Sequence, residues 1–276
     1  TKLGHKTAFI GKVGDDFFGK QLREAITEVG IDSTGLLSDP EIHTTLAMVH
    51  TYPDGDRDFS FYRNPGADMM LKEDEIPTEL IENSKIFHFG TLSMTHDGVR
   101  AATKKAISIA EEANALISFD PNLRPPLWKS LDDAKEQVLY GLGHCHILKI
   151  SDNEIQWLTG KEDYTDGVNW IRERYNIPLI LVSMGKEGSR AYYGDKIVEV
   201  KPFLQKNTIE TTGAGDTFCG CVLHYICEHG LDNLTEADLT KMLTFANAAA
   251  ARITTRKGAL RVMPDIAEIE AVMKNQ

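Results

Sequence analysis

The chain has 276 residues, 42% of them hydrophobic and 26% charged, with a formal net charge of −11 at pH 7. That length and balance fit one large α/β domain with a full core, or two small ones. The acidity argues against nucleic acids and acidic membrane surfaces, which select basic faces, and no apolar run approaches the ~18 residues of a membrane span.

From the N-terminus, residues 1–4 read as the tail of a helix closed by Gly4, followed at once by an apolar strand over 7–13. So short a helix does not nucleate by itself, so an upstream segment is expected to belong with this sequence. An amphipathic helix follows over 17–29 and stops at Gly30, with Asp15 and Asp16 as cap candidates rather than catalytic acids. Residues 44–51 and 58–63 alternate around Pro53-Asp54-Gly55, which predicts a β-hairpin over about 43–64. A lid, an interface and a plain edge hairpin are all open readings of it. Strands over 85–90, 116–120, 145–150 and 179–183 then alternate with helices, the first over 98–113. That rhythm predicts a layered α/β fold with a mainly parallel sheet. A last helix over 236–253 is rich in alanine and is expected to pack closely on a neighbour. No repeat or linker divides the chain, so one domain over 1–276 is expected.

Cys145, Cys219, Cys221 and Cys227 form neither a disulfide framework nor a zinc spacing, and they read as small core residues of a reducing, cytoplasmic protein. His144-x-His146 lacks a third ligand, and Met69-Met70 reads as core filler.

The most informative stretch is Thr211-Thr212-Gly213-Ala214-Gly215-Asp216. After it, Phe218, Cys219, Val222, Leu223, Ile226 and Cys227 fall on one helix face, and Gly230 supplies the stop. Two glycines let bare N–H groups approach an anion at a helix start, where the helix dipole adds favourable potential. An acid at the mouth of an anion site repels phosphate. It makes sense if it must take a proton from a hydroxyl attacking phosphorus. The plain alternative is a glycine turn with Asp216 as the N-cap. Neither G-x-x-x-x-G-K-[ST] nor a strand-linked G-x-G-x-x-G occurs, so a bound nucleotide would place its phosphates at this motif.

Further segments carry a resemblance: residues 11–19 (GKVGDDFFG), 61–69 (FYRNPGADM), 120–124 (DPNLR), 211–216, and Ala246-Asn247 followed by 255–259 (TRKGA). In this order and over essentially the whole length, the chain resembles the PfkB (ribokinase-like) carbohydrate kinases, and among them the fructokinases. The resemblance implies a ribokinase-like three-layer α/β sandwich with a mainly parallel central sheet and a small β lid. It also implies transfer of the γ-phosphoryl group of ATP to a sugar hydroxyl, in fructokinases the 6-hydroxyl of D-fructose. Other sugars (ribose, 2-keto-3-deoxygluconate, a nucleoside) and a non-catalytic sugar or nucleotide sensor are the alternatives.

On this resemblance Asp216 is the base, ionised at neutral pH, and the N–H groups of Ala214, Gly215 and Asp216, beyond Gly213, form the anion hole. Asn122 and Arg124 face the sugar and the phosphate in transit, an arginine suiting phosphate oxygens; an Asp120–Arg124 loop ion pair is the alternative. Arg63 matches an arginine that faces the sugar, against a solvated edge residue. Glu154 matches a glutamate that orders Mg²⁺ through water, against an ordinary first-turn acid. Ser151 stands where the family has asparagine. Ser183, Gly185, Lys186, Gly188, Thr212 and Asn247 line the nucleotide site, with a plain hairpin turn as the alternative for 183–188. Glu210, Thr212, Ile253, Arg256 and Gly258 match a monovalent cation site of the potassium type, although Glu210 replaces the usual aspartate. Family members begin with a sugar-gripping aspartate strand and a G-G-x-x-x-N stretch that this sequence does not contain. The partners implied are a small sugar, ATP and a second copy of the chain, joined through the lid.

Overall fold

The apolar runs of the sequence become the strands of one sheet with helices on both faces. The computed structural model describes residues 1–51 and 57–274. Strand β1 (Gly11–Gly14) leads to helix α1 (Phe17–Glu28) and strand β2 (Leu36–Asp39), followed by a hairpin of β3 (Leu46–Thr51) and β4 (Arg57–Tyr62). Helix α2 (Thr78–Glu82) precedes alternating elements: β5 (Ile86–Gly90), α3 (Asp97–Glu112), β6 (Leu116–Asp120), α4 (Leu131–His144) and β7 (Ile147–Ser151). Helices α5 (Asp152–Thr159) and α6 (Tyr164–Arg172) lead to β8 (Leu179–Ser183), β9 (Ser189–Tyr193) and β10 (Lys196–Val200). The chain then closes with α7 (Ala214–His229), α8 (Glu236–Ile253) and α9 (Ile266–Lys274).

The central sheet runs β10-β9-β8-β7-β6-β5. Its β5, β6, β7 and β8 are parallel, while β9 and β10 join antiparallel, so the sheet is mixed. The period of two along each strand splits the core cleanly in two. Ile117, Phe119, Leu148, Ile150, Ile180 and Val182 face α3 to α6. Ile147, Leu179, Leu181, Ala191 and Val198 face α7 and α8. The expected close packing of α8 is present, with Ala246, Ala248 and Ala249 fully buried.

Two expectations need correction. The strand expected over 7–13 forms only at Gly11–Gly14, because residues 7–9 make no ladder beyond the Ala8–Asp32 bridge. Moreover, β1 pairs with β2 in a separate two-stranded sheet, so among the described residues β5 is an edge of the central one. Residues 1–4 form a turn, closed by the Gly4 N–H on the Thr1 carbonyl at 2.9 Å. The hairpin strands pair from Leu46↔Tyr62 to Thr51↔Arg57, and the Pro53-Asp54-Gly55 turn lies outside the described residues. His144 pairs with Glu111, whereas His146 accepts the Ile117 N–H, so the two rings do not share a ligand. All four cysteines are free, and three are buried.

Asp16 joins α1 to the stem of the hairpin. As the N-cap it accepts the Gly19 N–H at 2.8 Å, and it also accepts the N–H and hydroxyl of Thr44, each at 2.8 Å. Asp15 is exposed and only faces Lys20 at 3.6 Å, so it caps nothing. The Thr44 backbone bond, ahead of the other contacts, holds the Asp16 carboxyl down at about 2.

A depressed folded-state pKa gives stability that is present above the unfolded value and lost as pH falls through the folded one. Asp16→Ala is expected to cost about 1–2 kcal/mol at neutral pH. In thermal melts the gap from the parent chain should stay constant above pH 5 and narrow from there towards pH 2.

Candidate active site

The N-terminus of α7 carries the motif. Gly213 is the N-cap at φ +76°, and a side chain there would press on Ala259 and Ile253 at 3.2 Å each, so both backbone and space require glycine. Asp216 is therefore not the cap. It sits exposed in the first helical turn. The Ala214 N–H closes a turn on the Thr211 carbonyl at 3.2 Å, and the Thr217 N–H begins the helix on the Gly213 carbonyl at 2.8 Å. Of the three amides expected in the anion hole, Ala214 is thus already engaged. Those of Gly215 and Asp216 have no helical partner among the described residues, as is usual for first-turn amides.

Beneath this turn lies a charged floor that the sequence reading missed. In β7, Lys149 shares the α7 face with Ile147, and in β6 Asp120 and Ser118 alternate with Ile117 and Phe119 to the same side. The Lys149 Nζ bonds Asp120 Oδ2 at 2.9 Å, with each side chain almost wholly buried. It lies 3.4 Å from where a Cβ on Gly215 would stand, directly under the open amides. Burial works against the lysine charge, but Asp120 and then Glu154 outweigh it, so its pKa is raised and the group remains an ammonium. Burial pushes the Asp120 carboxyl up to about 6 against the pull of Lys149. The floor stands at the carboxyl ends of the parallel strands, where open α/β sheets bind ligands. A single lysine inside the apolar run 147–150 (ILKI) was the available sign.

The loop after β6 is fixed to the same floor. Asn122 adopts φ +44° and donates its N–H to Asp120 Oδ1 at 3.1 Å. The Leu123 N–H reaches Glu154 Oε1 at 2.7 Å, and Glu154 Oε2 accepts both the N–H and the hydroxyl of Ser151, closing a capping box on α5. Glu154 therefore clamps the 120–124 loop, and Ser151 is a cap. The alternative Asp120–Arg124 ion pair is not formed, because Lys149 holds Asp120. Arg124 bonds the Leu123 carbonyl at 3.0 Å and has no carboxylate partner among the described residues.

The other expected residues fall into separate groups. Arg63 is neither solvated nor free: its guanidinium is buried on Asp68, the Thr95 hydroxyl at 2.7 Å and the Leu92 carbonyl at 3.0 Å. Ser183, Gly185, Lys186 and Gly188 lie at the connection of antiparallel β8 and β9, a hairpin turn with Lys186 exposed. A Cβ at Gly188 would lie 2.2 Å from the Val200 carbonyl, which explains that glycine by packing. Asn247 is buried with its amide spent on Ser189 and on the Val200 and Lys201 carbonyls.

The cation positions are drawn around one turn. Glu210 accepts the Gly258 N–H at 2.6 Å, and the Ile209 and Glu210 amides bond the Thr254 carbonyl. Ile253 offers its carbonyl to the Arg256 N–H at 3.0 Å, while the Arg256 side chain leaves for Glu268. Thr212 stands two residues on from Glu210, inside the motif and just ahead of the Gly213 cap.

The chain matches the profile of the pfkB family carbohydrate kinases over residues 1–266. It is 40% identical over 276 residues to the probable fructokinase-2 of Arabidopsis thaliana, covering 100% of this chain and 84% of the relative. Among solved structures it is similar to the fructokinase of Vibrio cholerae O395 in its fructose, ADP and calcium ion bound form, with a TM-score of 0.87 and 30% identity, covering 98% of this chain and 86% of that one. It is also similar to the fructokinase of Xylella fastidiosa with bound ATP, with a TM-score of 0.90 and 27% identity, covering 100% and 87%.

Removing one partner of a buried ion pair leaves the other charge uncompensated. Lys149→Met is expected to lose about 3–5 kcal/mol in urea unfolding. The double variant Lys149→Met/Asp120→Leu should recover most of that loss, since no lone charge remains in it.

Proposed function

The chain belongs to the pfkB family of carbohydrate kinases, and from that premise we propose that it phosphorylates D-fructose with ATP, giving fructose 6-phosphate. The observation that carries this reading is the first turn of α7, where two open amides over a buried ammonium adjoin an exposed carboxylate. Phosphoryl transfer requires positioning and charge stabilisation more than covalent chemistry, and this turn supplies both.

The Gly215 and Asp216 amides donate to the equatorial oxygens of the group in transit. Lys149 adds positive potential from below without competing for a direct hydrogen bond. Asp216 takes the proton of the attacking hydroxyl as the O–P bond forms. Arg124, with no carboxylate partner among the described residues, swings to the phosphate oxygens. Asn122 is held by its turn on Asp120 at the sugar side of the same loop.

A magnesium ion fits as a companion of the nucleotide. Glu154 is half-buried and already accepts three protein donors, so it would hold such an ion through water, and the ion would neutralise phosphate charge. Potassium suits the turn of Glu210, Thr212, Ile253, Arg256 and Gly258, whose backbone carbonyls are hard oxygen donors next to the cap of the anion hole.

The hairpin serves both as a lid on the sugar and as the contact between two copies. Met48, 57% exposed, and Tyr62, 66% exposed, share one face of the hairpin, and Tyr62 lines a cleft with Phe17 at 68% and Phe18 at 47%. A cleft of about 580 Å³ separates the hairpin stem from the start of α1. An apolar surface of that kind marks a contact face.

Asp216→Asn is expected to fold and bind ATP while losing roughly 10²–10⁴-fold in kcat, measured in a coupled ADP-release assay with D-fructose. Near-normal turnover would remove the base assignment. Fructose should exceed ribose and 2-keto-3-deoxygluconate in the same assay. Met48→Asp should convert a dimer into a monomer in analytical ultracentrifugation.

A further inference from the structure

Far from the candidate active site, three side chains with metal-ligand chemistry meet on α7. His224 and Glu228 lie four residues apart, one turn along the same helix face. His5, from the segment before β1, completes the group: its Nε2 lies 2.7 Å from His224 Nδ1 and 3.6 Å from Glu228 Oε1. All three ligand atoms lie within 4.8 Å of one another. The two imidazoles are half-buried and the carboxylate is exposed, so the group is both held by the protein and open to solvent on one side.

We propose that His5, His224 and Glu228 form a binding site for a divalent transition metal of the zinc type, clasping the segment before β1 to the C-terminal half of α7. The donor set, two imidazole nitrogens and one carboxylate oxygen, is one that zinc takes, with a water at the fourth position. Bond lengths of about 2.0–2.1 Å in a tetrahedral site put ligand atoms about 3.3–3.4 Å apart. The His5–Glu228 separation already lies near that value. The two imidazole nitrogens now share one proton, and its move by exchange with solvent to the other nitrogen of the donor ring frees both lone pairs and lets the nitrogens open by about 0.6 Å around the ion.

The clasp bridges residues 219 apart in sequence with no disulfide or helix contact required. It acts on the helix whose first turn carries Asp216, two turns or roughly 12 Å towards the N-terminus. The site shares no residue with the anion hole, so its failure and the failure of the kinase reading are distinguishable.

The test is a titration of the chelator-treated full chain, without nucleotide, with cobalt(II) read by visible absorption and with zinc(II) read by calorimetry. One equivalent should bind with the intense d–d band of a four- or five-coordinate site. The melting temperature should rise with zinc and return with chelator. His5→Gln lies outside any helix and should leave the melting temperature in chelator unchanged. It should weaken zinc binding beyond the roughly 10–100-fold that loss of an outer partner costs. His224→Ala should do the same. Equal zinc affinity in the parent chain and in His5→Gln, or a cobalt spectrum of six-coordinate hydrated ion only, would overturn the proposal.

Discussion

The site depends on one buried ion pair, Lys149 with Asp120. Isolated charges are costly inside a protein, and this pair lies in a sheet whose other inward residues are mostly apolar. Its position follows from the period of two along β6 and β7, which turns both groups to the α7 side and leaves Phe119 and Ile150 to the opposite core. With the lysine charge fixed there, a helix N-terminus can collect an anion over it even though Asp216, Glu154 and Asp120 are all nearby. Without it, three carboxylates would oppose every phosphate oxygen.

The pair also organises what surrounds it. Asp120 orients the Asn122 turn, and Glu154 pins the next amide, so the loop that bears Arg124 is held at both ends while its guanidinium stays available. Gly213 lets the chain enter α7 sharply against Ile253 and Ala259, bringing the turn expected to hold a cation directly behind the cap. Chemistry at the N-terminus of α7 and the histidine–carboxylate group in its C-terminal half thus use the same rigid element.

Most of the scaffold was legible in the sequence, because long apolar strands and amphipathic helices carry strong periodic signals. The alternation at 116–120, 145–150 and 179–183 matches observed strands, and Gly230 ends α7. What could not be read was partnership across the chain. No local pattern tells that β1 pairs with β2 apart from the main sheet, or that β9 and β10 turn antiparallel. The site divides in the same manner. The glycines and acid of 213–216 announce an anion turn, since few other purposes need that backbone. Lys149 is a lone charge in an apolar strand, and its role comes only from Asp120 on the neighbouring strand. Arg63 and Glu154 showed the opposite limit. Their residue types suit sugar and metal contacts, yet each is engaged in protein bonds that sequence spacing does not reveal.

The most direct measurement is a crystal structure of the chain with ADP, D-fructose and aluminium fluoride as a mimic of the group in transit. The account predicts the fluoride-bearing centre within hydrogen-bond reach, roughly 3 Å, of the Gly215 and Asp216 amides, with an Asp216 oxygen facing the sugar hydroxyl. A nucleotide whose terminal phosphate and mimic lie away from the start of α7 would contradict it.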